Sequence, residues 1–567
     1  MRGLLRSALG TLGALAGVAL LVGALPWLTG DDPARSVLRA READREPDAA
    51  TLDTIRTQLH LPTDPLTGTL SWVGRVLRGD LGTSWVSGTP VGDVVLPALG
   101  VSLTLAAAAS ATALLLAALM VLPSLRRAAD GSAPRGSGVV SGALAAVPEF
   151  VLAALLVAVV AVAWRLAPAS GFAGPEYLVL PTLALALPAA GVLARLLSDA
   201  VDSTAAEQWV RTWRAAGVGR GRTAVAVARR ASTVAVPQTL LLLVGLLGAG
   251  AVVEAVFDVP GLGGQSLAAA LAQDVPVVQA AVVLLVAVGL AVGGAGVLLH
   301  RLMLGPALVG GGLSPEPPPP GQRAGRAVVV LTGLLALVVV AGLLRDPAAQ
   351  DTADRLAPPS WVHPFGADAL GRDVLARFGH GALFSIGLAA AVSVAVLAVG
   401  LLVGLLGRRQ RAGLADVLNA LPAVVVGIVL AAVVGPGLTS AVVAVALVAW
   451  IPLAVHTRTL VAETRATGFV TAALTSGSGS VRLMRRHLLP AVAPPVARHA
   501  LIRVPHTALA LAGLSFLGLG AGPESPEWGR ALAENIGYLE RAPWVVAAPT
   551  LGLVAVGVLA SLVRTSR

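Results

Sequence analysis

Apolar and polar positions alternate along this chain in long blocks rather than in short periods. Twelve apolar runs lie at about 10–28, 98–122, 139–164, 178–198, 236–257, 277–301, 326–344, 383–406, 418–434, 438–456, 499–518 and 544–564. The polar stretches between them hold most of the charge. A helix of roughly 20 apolar residues matches the roughly 30 Å of hydrocarbon in a bilayer. The pattern predicts an all-α polytopic membrane protein of about 12 transmembrane helices. Arg2 and Arg6 precede the first run as in a signal peptide, but no convincing A-x-A cleavage site follows, so that run is read as a retained anchor.

Composition agrees. Hydrophobic residues make up 56% and charged residues 13% of the chain, and the mean hydropathy is +0.81, far outside the soluble globular range. A net charge of +10 would suit nucleic acid, but the placement of the arginines argues against it. Seventeen of them (126, 127, 135, 211, 214, 220, 222, 229, 230, 408, 409, 411, 458, 465, 482, 485 and 486) fall in alternate short loops. Only Arg165, Arg530 and Arg541 fall in the short loops on the other side. That bias puts the arginine-rich loops and both termini in the cytoplasm and leaves no stripe for nucleic acid. The absence of cysteine rules out disulfides and thiolate metal sites. The absence of lysine rules out a Walker A loop, so this chain binds no cofactor of its own, and any ATP and Mg would sit on a partner.

Six spans per half is an even number, so the halves share one orientation as parallel repeats. The predicted division is 1–304, a cytoplasmic linker at 305–325 containing SPEPPPPG, and 326–567. The proline run favours an extended spacer.

Two polar stretches occupy matching places in the halves, Glu207–Pro237 and Glu463–Pro490. Each has a short helix-compatible segment, a glycine break (Gly217, Gly477), an arginine pair and then a proline. Arginines such as Arg126, Arg408 and Arg409 are read as anchors to anionic lipid. The defined spacing around Gly217 and Gly477 suits a docking surface instead.

Several strings resemble the membrane subunits of dipeptide/oligopeptide (and nickel) ABC importers. In the first half they are RVLRGDLGTSWVSGTPV (75–91), VRTWRAAGVG (210–219) and VVEAVFDVPGLGG (252–264). In the second they are HPFGADALGRDVLARFGHGALFSIG (363–387), RRHLLPAVAPP (485–495), LSFLGLG (514–520) and PEWGRALAE (526–534). The first set is similar to the B-type permease and the second to the C-type, so the resemblance implies a fusion of two partners. It also implies a bacterial cytoplasmic-membrane location and a short peptide or related small solute as cargo. Two cytoplasmic ABC ATPase domains would dock on coupling helices, and an extracytoplasmic solute-binding protein on about 29–97, 345–382 and 517–543. The implied coupling residues are Arg211, Thr212, Trp213, Arg214 and Gly217 in the first loop. In the second they are Thr471, Ala472, Ala473 and Gly477, with Arg485 and Arg486 beyond. The second loop departs from the pattern. Thr471 stands where an acidic residue is usual, and TSGSGS (475–480) replaces charged positions. Glycine and serine weaken a helix, so a short second coupling helix is expected.

Other residues leave alternatives open. Glu254, near the outer end of the fifth span, is either a functional intramembrane carboxylate on the translocation path or an interfacial one that caps or pairs locally. Its family counterpart in the second half is replaced by Leu511. Arg503 and His506 share one face of the eleventh span and could line a path or bind a peptide carboxylate. The plainer reading has Arg503 snorkelling and His506 packed inside. His363, Asp368 and Asp373 match no compact metal set and suit turn and cap chemistry. No catalytic constellation stands out, so the chain is read as a transport component and not an enzyme. A 12-helix secondary transporter and a non-transporting sensor or scaffold are the competing classes, with sparse intramembrane charge against the former.

Overall fold

The computed structural model describes residues 16–27, 34–35, 37–38, 48–59, 64–132, 138–304, 324–407 and 422–565. The predicted linker up to 323, the start of the first span, Arg135, and Arg408, Arg409 and Arg411 lie outside them. Helices account for nearly all regular structure. Among the described residues the only β pairings are two isolated bridges, Thr83 with Pro90 and Ala367 with Asp373.

The first half holds α1 (Ala49–Leu59), α2 (Pro65–Val76), α3 (Val91–Asp130), α4 (Gly138–Leu144), α5 (Glu149–Leu156), α6 (Val179–Ala205), α7 (Gln208–Ala215), α8 (Arg220–Val256), α9 (Leu262–Leu271) and α10 (Val275–Leu304). The second holds α11 (Ala324–Leu343), α12 (Val374–Leu406), α13 (Ala423–Val434), α14 (Leu438–Arg465), α15 (Gly468–Thr475), α16 (Leu489–Phe516), α17 (Trp528–Asn535) and α18 (Pro543–Thr565). Among the described residues, five helical segments are long and apolar enough to cross a bilayer: 91–130, 175–205, 275–295, 374–406 and 438–465. The shorter apolar helix α11 also turns an apolar face outward. Val330, Leu337 and Val340 of α11 are more than half exposed, which a water-facing helix would not tolerate in a row.

The halves repeat one packing scheme. In the first, α3, α6 and α8 pack pairwise, and in the second α12, α14 and α16 do the same. They meet where α8, α9 and α10 pack on α13. Glycine permits the approach: a Cβ on Gly248 would fall 1.9 Å from the Pro422 ring. Phe150 of α5 and Phe516 of α16 also meet across the junction, ring centroids 5.4 Å apart.

One predicted span differs. The run at 139–164 is not one helix: α4 ends at Leu144, Pro148 caps α5, and a π-helical stretch, Val157–Ala163, completes the crossing. Proline disfavours helical geometry in the residue before it, which breaks the run at this point. Pro422 is the N-cap of α13 in the second half.

Candidate functional site

Two short helices at one end of the bundle carry the predicted coupling residues. Helix α7 follows Glu207 as N-cap and leads to Gly217, with φ +75°; α15 follows Thr467 and leads to Gly477, with φ +79°. A side chain at such an angle costs roughly 1–2 kcal/mol, so glycine closes both helices. A second glycine, Gly219 or Gly479, then caps the next helical segment. Each knob buries one valine completely, Val210 in α7 and Val470 in α15. Both knobs are 8 residues long, which corrects the expectation of a shortened second helix. Ser476, the C-cap, bonds back to the Ala472 carbonyl (2.8 Å), and the Thr471 hydroxyl bonds back to the Thr467 carbonyl (3.3 Å) within the helix. Most of the glycine-serine string falls after it.

The knobs are fastened differently. At the first, the Trp209 indole donates to Glu207 (2.7 Å), Arg230 pairs with Glu207 (3.4 Å), and Arg214 donates to the Ala128 carbonyl at the end of α3. Trp209 and Trp213 meet edge to face at 5.3 Å. The second knob rests on an apolar cluster of Val470, Leu483 and Leu488, with Ala473 and Met484 against it. Arg211, Thr212 and Trp213 are exposed on the first knob, and Thr471 and Ala472 on the second. Arg485 and Arg486 are exposed on a π turn, Met484–Leu488, that leads into α16.

At the opposite end, the structure brings together residues that the sequence did not connect. Glu254, 2% exposed, accepts from Ser102 of α3 (2.5 Å) and from the Gly264 amide in the first turn of α9 (3.0 Å). Ser102 in turn accepts from the Leu262 amide (2.8 Å). A Cβ on Gly261 would fall 2.3 Å from the Glu254 carboxyl carbon, so glycine there admits the carboxylate. Of the two readings offered for Glu254, the geometry supplies a buried helix cap. The second half builds the same junction from other residues. Ser385 of α12 accepts from the Trp528 amide (3.2 Å), and Glu527, also 2% exposed, caps α17 through the Arg530 amide (2.8 Å) and accepts from Ser385 (3.4 Å). The backbone equivalent of Glu254 is Leu514 rather than Leu511. Each carbonyl accepts the amide five residues on, Val259 or Leu519 (both 2.9 Å), across a left-handed residue, Asp258 (φ +49°) or Gly518 (φ +78°). Leu511 is buried one turn away.

Comparison with known proteins completes the description. The family model described as "Binding-protein-dependent transport system inner membrane component" matches twice, over residues 132–305 and 397–565. The chain belongs to this family. It carries two permease halves in one polypeptide. Among similar proteins is a di/tripeptide transport system permease protein DppC of Pseudomonas aeruginosa, 38% identical over 222 residues, covering 37% of this chain and 73% of the relative. The nickel transport system permease protein NikC of Escherichia coli is 34% identical over 238 residues, covering 40% and 86%. A dipeptide transport system permease protein DppC of Alkalihalophilus pseudofirmus is 30% identical over 238 residues, covering 40% and 78%. Each relative covers a share of this chain no larger than one half. Permease components of this kind are multi-pass inner-membrane proteins and not enzymes themselves.

In this permease the second half adds an ion-pair network beside α17 for which the first half shows no counterpart among the described residues. Asp368, 1% exposed, accepts from Arg372 and Arg377 (both 2.7 Å). Glu534 receives Arg377 (3.1 Å) and Arg530 (3.1 Å). Burial works to raise the Asp368 pKa, but hydrogen bonds from the Arg372 amide, the Arg377 side chain and the Leu370 amide outweigh it and hold it below the usual carboxylate range. Burial dominates at Glu527 and pushes its carboxyl up. His363 lies between Asp373 and Asp354, 3.1 Å from each. Burial would lower its pKa, yet the two carboxylates raise it above the ordinary imidazole value. Asp373 also receives Arg345 and caps α12 through the Ala376 amide (2.9 Å). No group of three or more metal-ligating side chains occurs among the described residues.

Arg503 and His506 lie on α16, Arg503 half-buried and His506 exposed. The Arg503 carbonyl accepts from Thr507, which also receives Ser393 of α12 (3.3 Å each). Glu254 belongs to the α3–α8–α9 junction described above.

Proposed function

We propose that this permease is the transmembrane part of an ATP-driven importer for short peptides or related small solutes, nickel among them. The arginine-rich end faces the cytoplasm, with both termini on that side. Two ATPase domains, which carry the ATP and Mg, dock at 207–231 and 466–487. An extracytoplasmic solute-binding protein delivers cargo on the other face, against 29–97, 345–382 and 517–543.

One observation carries the reading. Two rigid knobs of equal length, each closed by a left-handed glycine, sit at the same place in the two halves. Each leads into a long helix that ends at the opposite face, the arrangement needed to carry a rigid-body motion across the bundle. The names of the relatives support peptide or nickel cargo.

The test is uptake into vesicles supplied with the co-purifying ATPase and binding protein. Replacing Gly217 and Arg214 together by glutamate is expected to abolish ATP-driven uptake while the chain still inserts. Normal uptake by that variant, or wild-type uptake driven by an ion gradient with no second polypeptide, refutes the reading.

A further inference from the structure

Helix α16 carries ionisable groups along one face. At 100° per residue, His499, Arg503, His506 and Gly513 fall within an arc of about 80°. At its upper end the face meets the other half: a Cβ on Gly513 would lie 3.8 Å from the Phe150 ring of α5. His499 meets His456 of α14, ring centroids 4.8 Å apart. His506 is exposed, while His499, Arg503 and His456 are half-buried. The far side of the helix shows Leu501, 71% exposed. Counting back about 20 residues from Phe516, the length of a hydrocarbon crossing, puts His506 half-way and His499 at the arginine-end mouth.

Ionisable groups are costly on a lipid-facing surface and belong on one turned to the bundle interior or to water. Leu501 suits the lipid side and the histidine-arginine face the inner side. The first half offers no matching charge. Counted back from the paired left-handed residues Asp258 and Gly518, the same face of α8 carries Thr239, Leu243 and Leu246. One wall of the junction is thus basic and the other nearly apolar.

We propose that His499, Arg503 and His506 of α16, with His456 beside them, form the carboxylate-recognising wall of the cargo path. The permease then favours solutes with a free carboxylate over neutral ones or bare metal cations, which narrows the cargo proposed above to its carboxylate-bearing members. Arg503 supplies the permanent charge, since a guanidinium stays protonated and presents paired donors to a carboxylate. The proposal deepens the transport reading and rests on it for the word cargo.

The chain has no cysteine, so His506→Cys introduces a single thiol. In nanodiscs, its reaction with a sulfonate-bearing and a trimethylammonium-bearing thiosulfonate is timed, each rate divided by that with free mercaptoethanol. The anionic reagent is expected to be favoured about tenfold, from the locally raised anion concentration. Adding Arg503→Gln removes the preference, Arg503→Lys keeps most of it, and Leu501→Cys shows none. Millimolar dialanine slows labelling, whereas its C-terminal amide does not. Equal normalised rates at the introduced thiol, a preference untouched by Arg503→Gln, or equal protection by both dipeptides overturns the proposal. The rescue by Arg503→Lys separates loss of charge from misfolding. Labelling needs no ATPase, so failure of ATP-driven uptake by the wild-type chain counts against the transport reading alone.

Discussion

Helices α9 and α17 each stand on a serine of a long helix of their half, Ser102 of α3 or Ser385 of α12, and each has its first turn closed by a buried carboxylate. In the first half that carboxylate reaches over from α8; in the second it belongs to the residue that begins α17. The backbone demand is the same, because the leading amides of any helix lack internal partners. What differs is where the acceptor is anchored. A remote acceptor ties α9 to the long helix leading from the first knob, whereas a local one leaves α17 tied to α12 and to the arginine network. Similar geometry therefore does not mean similar mechanical connection.

The largest test concerns that network. Arg377→Ala takes one of its two arginine partners from the buried Asp368 and is expected to destabilise the second half by about 3–5 kcal/mol, read from the unfolding midpoint in detergent. Val94, the matching position counted from the first residues of α3 and α12, is expected to change stability by within about 1 kcal/mol when replaced by alanine. Equal effects would mean that the halves are held at this end in the same way.

Removing each cap gives a smaller effect. Glu254→Ala and Glu527→Ala are each expected to cost about 1–3 kcal/mol and to act locally. Hydrogen exchange should quicken at the Gly264 amide in the first variant and at the Arg530 amide in the second. The two carboxylates share no hydrogen-bond partner, so the double variant should be additive within about 0.5 kcal/mol. Quickened exchange at both amides in either single variant would show one coupled cap.

The smallest effect is on pH. Because the His363 pKa is raised in the fold, its contribution is fully present below the ordinary imidazole value of 6.5 and is lost as pH rises through the folded value. Wild-type permease should lose a little thermal stability on that alkaline side, and His363→Asn should lose none there. No described residue of the first half supplies a histidine in a similar position. Persistence of the slope in the variant would assign it to another group.

Much of this was readable in the sequence because the signals are periodic or local. Apolar run length gave the helices, and the glycines at 217 and 477 marked the ends of the knobs. What escaped depended on contacts between distant segments. Glu254 reaches an amide 10 residues on and a serine 152 residues back, and Arg377 meets Glu534 across 157 positions. Neither leaves a spacing to detect. Leu511 stands where the family resemblance puts a counterpart of Glu254, whereas the turn geometry matches Leu514. The one available signal for Glu527 was its place three residues before Arg530 at a helix start, but glutamate is an uncommon residue for that position. Pro148 is the local signal for the break inside 139–164, and the apolar length of the run around it hides that signal.

Helix α8 runs unbroken for 37 residues, about 55 Å, from the turn beside the first knob to the carboxylate that grips α9. Its counterpart is interrupted more often: against the single Pro237 inside α8, it has a π turn at its foot and prolines at 494, 495 and 505. The first half has the stiffer rod and the second the more jointed arm. On the coupling role proposed above, a displacement of the first knob is expected to reach the far face with less loss than one of the second.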